Sequence, residues 1–278
     1  MGEWLFTSDL HGQGALYEQL LGTAAARRPP AVLIGGDLCP HAPGDEGLRR
    51  QRVFLEGFLV EFARRLREAT PETRLLLLMG NDDWAANGDC LERHHADLWH
   101  TLHERAVDVD GARVAGLSWV PITPFLLKDW ERWDDGAPES PARLDGWISA
   151  RGRVVPHRFD PESRTPTIAD ALGVLAREAP ARETLFVTHS PPHGTHCDMI
   201  GAGMHVGSRA IRAFVEAHQP PLVLSGHIHE SPRVASAYRD RVGDTVVVNP
   251  GQFGTARLCA VWFDPERPDA TLRHTVYG

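Results

Sequence analysis

The 278 residues are 42% hydrophobic and 24% charged, which is ordinary globular usage; wholesale disorder is excluded, and one α/β domain over residues 1–278 is expected rather than two. A formal net charge of -8 opposes the broad basic footprint that binding to a phosphate backbone needs, so nucleic acid is not an expected partner. No apolar run approaches the roughly 18 residues of a membrane span, and the first strand begins within the first ten residues, which together predict a cytoplasmic protein with no membrane association.

Along the chain, Glu3 to Ser8, Ala31 to Gly35 and Arg74 to Met79 are short apolar runs that each end in a polar loop, and they read as buried strands. Between them, Gly14 to Arg28 and Leu48 to Glu68 read as helices, the second carrying Val53, Leu55, Phe58, Leu59, Phe62 and Leu66 at helical spacing. This β-α-β-α-β order predicts a largely parallel sheet whose ligands gather beyond the carboxyl ends of the strands. Val107 to Leu117, with Asp110-Gly111 at its centre, reads as a hairpin. The segment from Trp119 to Pro166 is rich in Pro, Gly, Asp and Arg with little periodic order, and reads as an insertion or lid. Its tryptophans, Trp119, Trp130, Trp133 and Trp147, could stack on a base or aryl group, although packing is the plainer account. Regular patterning returns with a helix at Thr167 to Ala179, a strand at Glu183 to Thr188, a helix at Ser208 to His218 and a strand at Leu222 to Ser225. Several short strands follow between Val234 and Val276.

Five polar motifs each sit just after an apolar run: Asp9-Leu10-His11, Gly36-Asp37, Gly80-Asn81-Asp82-Asp83, Thr188-His189-Ser190 and Gly226-His227-Ile228-His229. A strand end delivers a side chain rigidly to the rim of a sheet, and an adjacent Gly or turn lets the chain leave without covering it. Together they supply Asp9, His11, Asp37, Asn81, His189, His227 and His229, a carboxylate, amide and imidazole set suited to Mn, Fe, Zn or Co. In Asp-x-His and His-x-His, an extended chain would put both members of each pair on one face. Seven ligands exceed one ion's needs; if one carboxylate bridges, two ions can sit about 3.5 to 4 Å apart and activate a water toward a phosphoryl group. Asp37 is the candidate bridge. Alone, Gly-His-x-His is the sharpest and speaks as much for a ligand pair as against one, and each other motif is better explained as a turn carboxylate or a hydrogen-bonded histidine; five in order, each after a strand, are not. The four cysteines, Cys39, Cys90, Cys197 and Cys259, form no CxxC pair and suggest neither a zinc knuckle nor a disulfide framework. The Gly207-Ser208 step reads as a helix N-cap whose free N–H groups could receive a phosphate oxygen, although capping alone explains Ser208 equally well.

From Asp9 to His229 the motif series resembles the calcineurin-like metallophosphoesterases, and His189-Ser190-Pro191-Pro192-His193-Gly194-Thr195 with Ser225-Gly226-His227-Ile228-His229 is similar to phosphoesterases related to the Icc protein. The resemblance implies a four-layer αββα sandwich with two mixed β-sheets. It places Asp9, His11, Asp37 and His229 on one ion and Asp37, Asn81, His189 and His227 on the other. It also implies hydrolysis of a small-molecule phosphodiester or phosphomonoester, a cyclic nucleotide among them, by a dimetal-activated hydroxide. The two ions would be divalent or mixed-valence, Mn first, with Fe, Zn, Co or Ni as alternatives. One departure stands out: where the family's Gly-Asn-His often provides a histidine near the leaving group, this chain has Asp82. A carboxylate flanked by two cations makes a poor general acid unless burial reverses its shift, and His193, a water or a good leaving group could compensate. That absent histidine is the support for an alternative reading as a non-catalytic metal-binding scaffold; a nuclease is disfavoured by charge and length. The sequence sets no oligomeric state.

Overall fold

In the computed structural model, which describes residues 2–136, 142–252, 254 and 256–278, the first three apolar runs form strands Trp4–Thr7, Ala31–Ile34 and Arg74–Leu77. They pair in parallel, Leu5 beside Val32 and Val32 beside Leu75, because helices return the chain between them. The first is Gly14–Arg27. The second begins earlier than expected, as Gly44–Val53, and passes through a π-helical turn at Phe54–Leu59 into Val60–Ala69. His100–Thr101 extends this sheet on one side, and antiparallel Ala260–Phe263 and Arg273–His274 complete it on the other.

A second six-stranded sheet runs in the order Arg239–Val242, Thr245–Val248, Leu222–Ser225, Thr184–Thr188, Ala112–Leu117 and Arg105–Val109. Its four central strands are parallel and both edges antiparallel. The expected hairpin is its Arg105–Leu117 edge. Helices Ile168–Glu178 and Arg209–His218 cover its outer face; Thr167 closes the first with a reciprocal capping box through Asp170.

Strand alternation divides the apolar residues into three cores. Trp4, Phe6, Leu33 and Leu76 point between the sheets to meet Val114, Leu185, Val187, Leu224 and Val246. Leu5, Val32, Ile34 and Leu75 point the other way, onto the helices of the first sheet, and Phe186, Val223 and Val247 onto those of the second. Three cores between helix, sheet, sheet and helix make the four layers of an αββα sandwich with two mixed sheets. Burial on both faces is also why these strands read as continuous apolar runs. Among the described residues, no helix is long and apolar enough to cross a membrane, and all four cysteines are free and buried.

The segment from residue 119 to 166 is more ordered than its composition suggested, and residues 137–141 of it lie outside the described residues. Strands Asp145–Ala150 and Arg153–Arg158 form a hairpin around Arg151 and Gly152, both at positive φ. With Pro156 in one strand and arginines at its ends, the alternation that normally marks a hairpin is weak. Trp130 and Trp133 are buried and Arg132 lies over the half-buried Trp119 at 3.7 Å, so packing accounts for these three; Trp147 is exposed.

Candidate metal centre

Each of the five motifs leaves the carboxyl end of a parallel strand, three from the first sheet and two from the second, so the two rims face one another across the site. The route by which paired residues converge differs from the expected extended alternation. Asp9, His11, Asp37 and His227 have φ of 60°, 45°, 51° and 66°, so tight left-handed turns, not strand pleating, aim them. A non-glycine residue in that region carries strain that the surroundings must over-determine, and such residues cluster at functional sites. Backbone approach explains two motif glycines. A Cβ on Gly80 would lie 2.2 Å from Asp37 Oδ1 and 2.5 Å from His189 Nε2, and one on Gly36 would lie 2.2 Å from His189 Nδ1.

Asp9, His11, Asp37 and His229 offer ligand atoms that all lie within 4.8 Å of one another, a cluster that could hold a metal ion. His11 Nε2 and His229 Nε2 are 3.1 Å apart, close to the separation of two imidazoles bound at right angles to one ion, about 3 Å for bonds of about 2.1 Å. Asp37 Oδ2 lies 3.7 Å from His11 Nε2 and 3.5 Å from His189 Nε2. His189 Nε2 is 3.0 Å from Asn81 Oδ1, and the His189 and His227 rings are 5.3 Å apart. The seven predicted ligands are therefore brought together as two groups that share Asp37.

Their supports are in place. His189 Nδ1 bonds the Gly35 carbonyl at 2.8 Å, which turns Nε2 toward the centre. Asp37 Oδ1 accepts the Asp82 N–H at 2.8 Å, and Asp9 accepts the His227 N–H at 3.0 Å. Burial raises the carboxyl pKa of Asp9 and Asp37, yet imidazoles outweigh it: His229 for Asp9 and His189 for Asp37 hold each below the usual carboxylate range. Burial would lower His189 and His229, but Asp37 and Asp9 respectively push them up to about 9. Burial and the neighbouring His189 pull His227 down to about 3. Two buried carboxylates facing each other among imidazoles form a site that demands positive charge, and its oxygen and nitrogen donors fit a pair of divalent ions.

Three further residues organise the centre without having been singled out in the sequence. Buried Asp83 accepts N–H bonds from Leu38, Cys39 and Gly80, clamping the Gly-Asp loop to the Gly-Asn loop. Asn249 Nδ2 lies within hydrogen-bond distance of the carbonyls of Gly226 and Ile228, holding the Gly-His-x-His turn. His41 Nδ1 bonds Asp82 Oδ2 at 3.1 Å. Asp82 stands at the edge of the centre, 3.5 Å from His11 Nδ1. Only the Asn-Pro-Gly turn around Asn249 had a sequence signal. The candidate His193 sits on the loop after His189 with its ring 5.9 Å from that of His205. The Ser208 N-cap is confirmed, its Oγ accepting the Ile211 N–H. The phosphate idea fails there: Asp134 already accepts the Arg209 and Ala210 N–H groups and the Ser208 hydroxyl.

The model of the calcineurin-like phosphoesterase family matches residues 4–231. The chain belongs to this family. As a calcineurin-like phosphoesterase it is a dinuclear metal-dependent hydrolase of phosphoric esters, and the match begins at the first strand and ends just past the last motif histidine. One solved structure aligns over 100% of both chains at a TM-score of 0.67 with 16% identity. That of TT1561 from Thermus thermophilus aligns over 100% of this chain and 99% of its own at a TM-score of 0.58 with 17% identity. At such identities the likeness shows the fold alone. Among curated proteins no significant match is found.

Proposed function

We propose that this calcineurin-like phosphoesterase hydrolyses a small-molecule phosphodiester or phosphomonoester in the cytoplasm, with Mn as its preferred metal. One domain carries the reaction, with Pro124, Phe125, Leu126 and Trp147 of its insertion lining the groove beside Asp82. Asp9, His11, Asp37 and His229 hold one ion, and Asp37, Asn81, His189 and His227 the other. The observation that carries this reading is Asp37 Oδ2, 3.7 Å from His11 Nε2 and 3.5 Å from His189 Nε2. Carboxylate, amide and imidazole donors suit Mn, Fe, Zn or Co, and Mn is the ion to restore first. When bound, the ions supply Lewis acidity to the phosphoryl oxygens and lower the pKa of a water toward neutrality.

The chain's own residues do the rest. The Gly35 carbonyl fixes the His189 tautomer, and the Asp82 N–H fixes one Asp37 oxygen so that the other faces both groups. Asp82 orients His41 through Nδ1 and leaves Nε2 to protonate the departing oxygen. The hydrogen bond to Asp82 raises the His41 pKa, which keeps that proton available near neutral pH. His193, beside His205, is the weaker donor candidate. The test is hydrolysis of bis-p-nitrophenyl phosphate and p-nitrophenyl phosphate by metal-stripped protein with each metal restored separately. Turnover is expected with Mn; none with any metal would reduce the protein to a scaffold.

A further inference from the structure

Seven large apolar side chains are exposed among the described residues, and three of them, Phe125, Leu126 and Trp147, share one groove. Ala42, Pro43 and Pro124 continue its walls, and the cavity is about 670 Å³. Its border is shared with the metal centre: His41 and Asp82 line it, and Asp82 is also 3.5 Å from His11 Nδ1. An apolar concavity of a few hundred Å³ beside polar chemistry is the usual form of a small-molecule site.

The walls are held by hydrogen-bonded polar groups, three of them (Thr123, Lys128 and Glu131) buried, so this apolar surface is presented rigidly rather than left over. At the base of the Phe125 loop, Lys128 Nζ donates to the Thr123 carbonyl at 2.9 Å and to Glu131 at 2.8 Å, with both charged side chains fully buried. Thr123 Oγ1 in turn bonds Glu131 and accepts the Phe125 N–H at 3.0 Å. Asp129 accepts the N–H groups of Ala85 and Ser149, tying the Trp147 hairpin to the turn that follows the Gly-Asn motif. Asp45 accepts the Val154 N–H at 2.7 Å and ties the same hairpin to the helix after His41. A preorganised apolar wall lowers the cost of binding an apolar group.

We infer that this groove receives an apolar alkyl or aryl substituent of the phosphate ester, so that the enzyme's substrates are esters of hydrophobic alcohols or phenols rather than nucleotides. The inference rests on the phosphoesterase reading above. A nucleobase needs donors and acceptors along its edge. The groove's polar side-chain groups are His41 and Asp82, bonded to each other, Asp45, bonded to Val154, and two indole N–H donors, that of Trp84, given to the Ala42 carbonyl, and that of Trp147; no Asn, Gln, Ser or Thr lines it among the described residues, so side-chain acceptors for a base edge are not on offer beyond the carboxylates already engaged.

Calorimetric binding of n-alkylphosphonates from methyl to octyl to the Mn-loaded full chain tests it. Affinity should climb about twofold to fourfold per methylene as the chain fills the groove. In Phe125→Ser and Trp147→Ser, the octyl-to-methyl affinity ratio should fall by about tenfold, and in Val174→Ser, an exposed apolar position outside the groove, it should hold. A flat series with methylphosphonate still bound in a metal-dependent manner overturns the groove assignment and leaves the phosphoesterase standing. Tighter binding of a nucleoside phosphonate than of octylphosphonate overturns it as well. Failure of every phosphonate to bind the metal-loaded protein overturns the phosphoesterase reading and this inference with it.

Discussion

Because Asp37 Oδ2 lies 3.7 Å from His11 Nε2 and 3.5 Å from His189 Nε2, one substitution there touches both halves of the centre. Asp37→Asn should lower bound metal and cut turnover of bis-p-nitrophenyl phosphate by at least about 100-fold, measured by elemental analysis beside initial rates. His41→Ala should spare p-nitrophenyl esters, whose leaving group needs no proton, and slow alkyl esters by about 10²-fold or more; equal effects on both would remove His41 as donor. The pH behaviour has a definite sign. His189 and His229, ordinarily near 6.5, are raised to about 9 in the metal-free protein by Asp37 and Asp9 against burial. Their stabilising contribution is complete below about 6.5 and is lost as pH rises through about 9. Melting of the metal-free protein should therefore move to lower temperature across that window. Metal affinity should rise over the same window, because ligation needs neutral imidazoles; a parallel fall of both would contradict the ligand set. The seven candidate ligands could be proposed from the sequence because each follows an apolar run. His41 and Asp83 could not: nothing local links His41 to Asp82, and Asp83 is distinguished from its neighbour only by burial.

At the scale of elements, the apolar runs marked the parallel strands, and Ser208 marked the cap of the Arg209–His218 helix. Thr167→Ala should cost about 1 kcal/mol in denaturant unfolding by removing the Thr167–Asp170 capping box. No measurable loss would mean that the cap is redundant. What local pattern could not supply was the partner across space. Asp134 occupies the N-terminus of the Arg209–His218 helix from 75 residues away along the chain, which decides for capping at a position where the sequence left capping and phosphate binding equally open. The Asp145–Arg158 hairpin was likewise hidden, because its half-exposed strands carry arginine and proline where alternation would have been the signal. The convergence of Asp9 with His11 depends on left-handed φ at both, which no residue type announces.

For the whole molecule, the sandwich places two sheet rims opposite each other, and the centre exists because both sheets contribute. Phe6 lies in the core between them, so Phe6→Ala should cost about 3 to 5 kcal/mol and loosen metal binding without touching a ligand. The layer count was not legible from element order, which predicts only a largely parallel sheet; it entered with the family resemblance. Three separate apolar cores then account for it physically. The central claim, two ions joined through Asp37 in a phosphoric ester hydrolase, is tested most directly by titrating metal-stripped protein with Mn while following hydrolysis of bis-p-nitrophenyl phosphate. The account predicts two ions bound per chain, with turnover returning in proportion to the doubly loaded protein. Full turnover with one ion per chain, or with none, would contradict it.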